Sequence, residues 1–122
     1  MAEALWQRWI ADGAELIAPY LFPFAVTAVI RKLSHRGLLD PALGEQALKK
    51  GLEFDVKYQT FVGIHERAWA LATQLNRPTA YDAHYLALAE YAGCPFWTAD
   101  ERLFNAVQPQ LAWVHWLGHF VA

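Results

Sequence analysis

The chain predicts an α/β domain built on a parallel sheet with helices on both faces, and three observations predict it. Short apolar runs at residues 15–18, 59–63, 96–98 and 111–117 alternate with longer segments of helical periodicity. Apolar residues make up 56% of the 122 positions and aromatic residues 15%, enough for a packed core and too much for a disordered chain. The punctuation is also that of helices joined to strands: Asp-Gly, Asp-Pro, Gly and Asn-Arg-Pro fall between the periodic segments. A chain of this length is expected to form a single domain over 1–122.

Taken in order, residues 2–11 carry Leu5, Trp9 and Ile10 at helical spacing, and Asp12-Gly13 stops the run. Residues 15–18 read as a short strand closed by Pro19. A helix is expected over 20–36, apolar nearly all round, with Arg36 in its last turn and Gly37 as its stop. The nearly uncharged run at 16–30 holds Pro19 and Pro23 and is too short for a transmembrane helix, so it is expected to be buried within the protein. Asp40-Pro41 has the N-cap and first-position pattern of a helix running to about residue 54. Residues 59–63 read as a strand and 64–75 as a helix broken by Asn76-Arg77-Pro78. Thr79 is expected to cap an alanine-rich helix that ends at Gly93, with Asp82 as its reciprocal partner. A strand over Phe96-Trp97-Thr98, a short helix over 99–106 and a closing strand over 111–117 complete the alternation.

Composition narrows the chemistry. A formal charge of -2 and a pI near 6.2 provide no global field for gathering nucleic acid. The one cysteine, Cys94, excludes an internal disulfide framework and fits the reducing cytoplasm. Six tryptophans exceed what a small core absorbs, which points some of them toward the surface or an oligomer interface. No Walker A sequence, dinucleotide fingerprint, H-E-x-x-H or paired C-x-x-C is present.

The most informative stretches are Tyr81-Asp82-Ala83-His84-Tyr85-Leu86-Ala87-Leu88-Ala89 and Trp97-Thr98-Ala99-Asp100-Glu101-Arg102-Leu103. Each sets an acid where a helix begins, and in α/β proteins ligands gather where strands end and helices start. Two carboxylates so placed can share a metal ion. Both also have a structural reading as first-turn acids that offset the helix dipole, each in a capping-box pattern, with Thr98 as the cap and Glu101 as its partner in the second. In that reading the chain is an unrelated α/β domain. His84, two positions from Asp82, points away from it and reads as a partly buried or surface histidine. His115 and His119 read as packing residues. Arg31, Lys32, His35 and Arg36 cluster at one helix end, as dipole compensation would arrange them.

Together with Ala18-Pro19-Tyr20-Leu21-Phe22-Pro23-Phe24-Ala25-Val26-Thr27 and residues 31–37, these stretches resemble the PIN domain family, in particular the toxin ribonucleases of bacterial toxin–antitoxin pairs. The resemblance covers nearly the whole chain. It implies a three-layer fold in which acids hold Mg²⁺ or Mn²⁺ and single-stranded RNA is hydrolysed. Asp82 and Asp100 then occupy two of the family's acidic positions, as metal ligands and catalytic groups. The resemblance implies an antitoxin protein as partner, and the tryptophans and unpaired strand edges suggest a homo-oligomer.

Two departures accompany it. The family opens on a strand bearing an aspartate, and this chain reads as lacking that N-terminal strand. The family also places a glutamate just after the Pro-containing segment, where Ala25 stands here. The expectation is therefore a metal-dependent endoribonuclease with impaired catalysis. The alternative is a PIN-like binding or dimerisation module without catalysis.

Overall fold

The computed structural model describes residues 2–119, with side chains from residue 4 onward. Six α-helices and four short strands alternate along it: α1 (Ala2–Ala11), β1 (Leu16–Ala18), α2 (Phe22–His35), α3 (Pro41–Leu52), β2 (Val56–Tyr58), α4 (Ile64–Gln74), α5 (Tyr81–Ala92), β3 (Phe96–Thr98), α6 (Glu101–Val107) and β4 (Val114–Trp116). The mixed α/β class and the parallel pairing are as the sequence implied. The described strands form two separate two-stranded ladders, β1 with β2 and β3 with β4. Each ladder needs a crossover because parallel neighbours cannot be joined by a hairpin. α2 and α3 provide it in the first case and α6 in the second. The chain clusters into two compact units, residues 16–59 and residues 1–15 with 60–122.

In the unit of residues 16–59, β1 registers on β2 as Leu16 with Val56, Ile17 with Lys57 and Ala18 with Tyr58. This second strand lies upstream of the expected 59–63. Lys57 hid it: an exposed charge between half-buried Val56 and Tyr58 is the alternation of a one-sided strand, not an apolar run. Asp40 caps α3 as its sequence pattern demanded, its Oδ1 accepting from the Ala42 amide at 2.8 Å. α2 packs on α3 where α3 is thinnest. A Cβ on Gly51 would lie 3.1 Å from Val26 Cγ1, and one on Gly44 would lie 3.6 Å from Ile30 Cγ2.

The expected burial of residues 16–30 is corrected by α2. None of its residues is fully buried, and Phe24 is 73% exposed. A helix that is apolar nearly all round cannot bury every side against one neighbour, so its remaining faces meet solvent.

The other unit holds the dry core. α4 buries Ile64, Ala68, Leu71 and Ala72 along one stripe, at the i, i+4, i+7, i+8 spacing of an amphipathic helix. α5 answers with Ala83, Leu86, Ala87, Leu88 and Ala89. The alanines on both helices allow a close approach. Fully buried leucines such as Leu71 and Leu86 each contribute about 1.5–3 kcal/mol of apolar transfer. Gly93, at φ 68°, ends α5 in the left-handed conformation that a side chain would resist.

Around β3 and β4 the packing is aromatic. Trp97 faces its register partner His115 with ring centroids 4.9 Å apart, and Trp9 of α1 meets Trp97 edge-on at 6.4 Å. Trp116 and Phe104 both contact the His119 ring edge-on. His115 and His119 are thus packing residues, as expected. Trp69 is 72% exposed, in line with the surplus of tryptophan.

Candidate active site

Asp82 lies in the first turn of α5 and is exposed. The helix opens differently from the expected capping box. Ala80 is the N-cap residue, and no side chain caps the helix. Without a capping hydroxyl, the charge of Asp82 is the available compensation for the helix N-terminus. Its carboxylate enters no ion pair among the described residues.

Asp100 is fixed more firmly. Thr98, at the buried end of β3, accepts the Asp100 amide proton on Oγ1 at 3.0 Å. Asp100 then caps α6, its Oδ1 accepting from the Leu103 amide at 3.1 Å. The sequence suggested Thr98 as the cap and Glu101 as its partner. The structure moves the cap to Asp100, because β3 runs through Thr98 and the helix starts only at Glu101. The Asp100 side chain is exposed and, like Asp82, enters no ion pair among the described residues.

Both acids belong to the same compact unit, at the starts of the helices that flank β3 in sequence. Among the described residues, no group of three or more His, Cys, Asp or Glu side chains gathers to form a closed metal cage. Asp82 and Asp100 each present a hard, exposed carboxylate. Carboxylates of this kind could hold a largely hydrated Mg²⁺ or Mn²⁺, which accepts one or two protein carboxylates and keeps its waters for substrate phosphate. Ala25 sits in the first turn of α2, which carries no acid.

No family model matches the chain. Over 103 residues, 84% of this chain, it is 35% identical to a VapC ribonuclease of Mycobacterium bovis and to ribonuclease VapC9 of Mycobacterium tuberculosis, covering 79% of each. The chain belongs to the PIN-domain toxin ribonucleases.

Three features of this PIN-domain chain escaped sequence reasoning. Arg67 of α4 grips Glu90 of α5 with two parallel hydrogen bonds, Nε to Oε1 and Nη2 to Oε2, each 2.7 Å. The hydrogen bond from Arg67 holds the Glu90 carboxyl below the usual carboxylate range, against a smaller opposing effect of burial, and the same bond raises Arg67. Phe61 stacks on Tyr91 at 4.3 Å. His65 of α4 meets His84 of α5, ring nitrogen to ring nitrogen, at 2.9 Å. Each pair joins residues 19 to 30 positions apart. No periodicity within one helix announces contacts of that kind.

Among the described residues, no helix is long and apolar enough to cross a membrane.

Proposed function

We propose that this chain is a metal-dependent endoribonuclease of the PIN type, cutting phosphodiesters in single-stranded RNA with Asp82 and Asp100 as its metal-holding acids. The observation that carries the reading is the placement of two exposed carboxylates, in no ion pair among the described residues, at the helix starts around β3. The ribonuclease names of the relatives support it.

Asp100 is the better oriented of the two. The Thr98 hydroxyl and the Leu103 amide hold its backbone and one carboxylate oxygen, leaving the other oxygen for a cation. Asp82 adds a second charge from the start of α5. When bound, Mg²⁺ or Mn²⁺ supplies charge stabilisation at the phosphoryl oxygens and activation of water. Turnover is slow relative to a full acid cluster. Ala25 stands where the family pattern calls for a glutamate, which removes negative charge and one acceptor for the attacking water's proton. The protein works in the cytoplasm, with an antitoxin protein as its partner.

The test is cleavage of a mixed single-stranded RNA pool with Mn²⁺, comparing this chain with Asp82→Asn and Asp100→Asn. Asparagine caps a helix as well as aspartate does, so Asp100→Asn keeps the Leu103 bond and removes only the charge. Cleavage is expected to fall at least about 10²-fold in both variants. Equal activity in all three proteins would overturn the assignment.

A second reading, a non-catalytic binding or dimerisation module, draws on the apolar surface of the α2–α3 unit. Phe24, Val29, Leu43 and Leu52 are 73%, 57%, 56% and 47% exposed. That reading requires an oligomer or a bound partner. A monomer at every concentration in analytical ultracentrifugation, with no partner, would remove its support.

A further inference from the structure

The contact between His65 and His84 has more definition than packing requires. His84 Nδ1 lies 2.7 Å from the carbonyl oxygen of Ala80. A carbonyl only accepts, so His84 carries a proton on Nδ1, and in the neutral ring this leaves a lone pair on Nε2. That lone pair faces His65 Nδ1 at 2.9 Å, so His65 is the donor in this bond. The chain of contacts runs from His65 of α4 through His84 of α5 to the Ala80 carbonyl. His84 is half-buried while His65 is exposed, so solvent reaches the pair from one side.

Metal-ligating histidines share this arrangement. The far nitrogen donates to a backbone carbonyl, which fixes the tautomer, orients the ring and raises the basicity of the near nitrogen. Two imidazole nitrogens bound to one Zn²⁺ at about 2.0–2.1 Å are separated by about 2.9–3.4 Å, depending on the angle between them. The observed 2.9 Å already lies at the short end of that range. Replacing the shared proton by a cation needs the His65 proton to pass from Nδ1 to Nε2 and both rings to reorient so that their lone pairs converge on the ion. Between neutral rings this exchange releases no net proton.

We propose that His65 and His84 form a two-histidine site for a borderline transition-metal ion of the Zn²⁺, Ni²⁺ or Cu²⁺ class, clasping α4 to α5. Imidazole selects these ions, whereas carboxylates select Mg²⁺ and Mn²⁺. The site is therefore distinct in chemistry from the acids of the proposed active site. It is distinct in direction too, because residues two apart on a helix do not share a face, and Asp82 and His84 are two apart. Water fills the remaining coordination positions, since no third His, Cys, Asp or Glu joins the pair among the described residues. The inference does not depend on ribonuclease activity.

The experiment is isothermal titration of the full chain with Zn²⁺ alone, above the ordinary histidine pKa of about 6.5. It compares the wild type with His65→Ala, His65→Gln and His84→Ala, with circular dichroism to confirm that each is folded. Glutamine can still donate to His84 but is a poor ligand for Zn²⁺, so His65→Gln separates the hydrogen bond from the metal site. One Zn²⁺ per chain is expected in the wild type, with binding weakened at least about tenfold in every folded variant. Zn²⁺ should also raise the melting temperature of the wild type and leave His65→Gln unmoved. No Zn²⁺ binding in the wild type, or undiminished binding in His65→Ala and His65→Gln, would overturn the site. His65 is exposed, so its variants carry the test if His84→Ala fails to fold.

Discussion

The two compact units solve the same problem with different materials. Residues 1–15 and 60–122 bury leucines and alanines completely, with Ala68, Leu71, Leu86 and Ala87 at zero exposure. Residues 16–59 hold two helices and a parallel ladder, and α2 buries no residue fully. The difference teaches where precision is stored. The candidate catalytic acids sit at the ends of elements that belong to the dry core, and their positions inherit its rigidity. The other unit relies on half-burial, a helix cap and close contact at two glycines.

The largest expected effect sharpens that contrast. Leu71→Ala removes a fully buried side chain and should cost about 2–5 kcal/mol, while Val29→Ala, at a site 57% exposed, should stay within about 0.5 kcal/mol. The probe separates the units, because all six tryptophans lie in the unit of residues 1–15 and 60–122. Tryptophan fluorescence in urea therefore reports that unit, and circular dichroism reports both. A Val29→Ala cost equal to that of Leu71→Ala would erase the distinction.

Next in size is the cap on α3. Asp40→Ala deletes the acceptor for the Ala42 amide and should destabilise the α2–α3 unit by about 1 kcal/mol, read by circular dichroism. A loss shared equally by the tryptophan signal would mean that the units unfold as one.

Gly44→Ala tests the close contact with the opposite sign. Its new Cβ meets Leu39 Cδ2 at 3.5 Å, Ile30 Cγ2 at 3.6 Å and Leu39 Cγ at 3.9 Å, which is ordinary van der Waals contact. A helical glycine concedes about 0.5–1 kcal/mol to alanine, so the variant should be more stable by about that amount. Destabilisation on urea unfolding would show that α2 and α3 are packed more tightly than those distances allow.

The pattern of what was legible follows the same division. Asp40-Pro41, Gly93 and the alanine face of α5 are local signals, and the structure places all three as their sequence implied. The misplacements fall where two local signals compete. Thr79 was the better capping residue for α5, yet the helix begins after Ala80 and leaves Asp82 as the first-turn acid. Thr98 looked like a cap for α6, but its strand pairing with Trp116 spends it on β3 and passes the cap to Asp100. Long-range pairs were beyond reach, because His65 and His84 meet only after α4 and α5 have packed. The positions of the two acids could be read; the side chains that brace the helices beneath them could not.

The smallest effect concerns that bracing. Glu90 is held below its usual pKa by Arg67, so its contribution to stability is fully present above the unfolded-state carboxylate value of about 4.3. It is lost as pH falls through the lower folded-state value. Glu90→Gln should therefore cost stability at neutral pH and show a smaller difference from the wild type in acid. Arg67 and Glu90 are 40% and 35% exposed, so water screens the pair and the neutral-pH cost should be only about 0.2–1 kcal/mol. Salt should shrink it further. A difference that grew in acid would mean that burial, not Arg67, governs the Glu90 carboxyl. In that case the link between α4 and α5 would rest on their shared leucines and alanines and on the histidine pair.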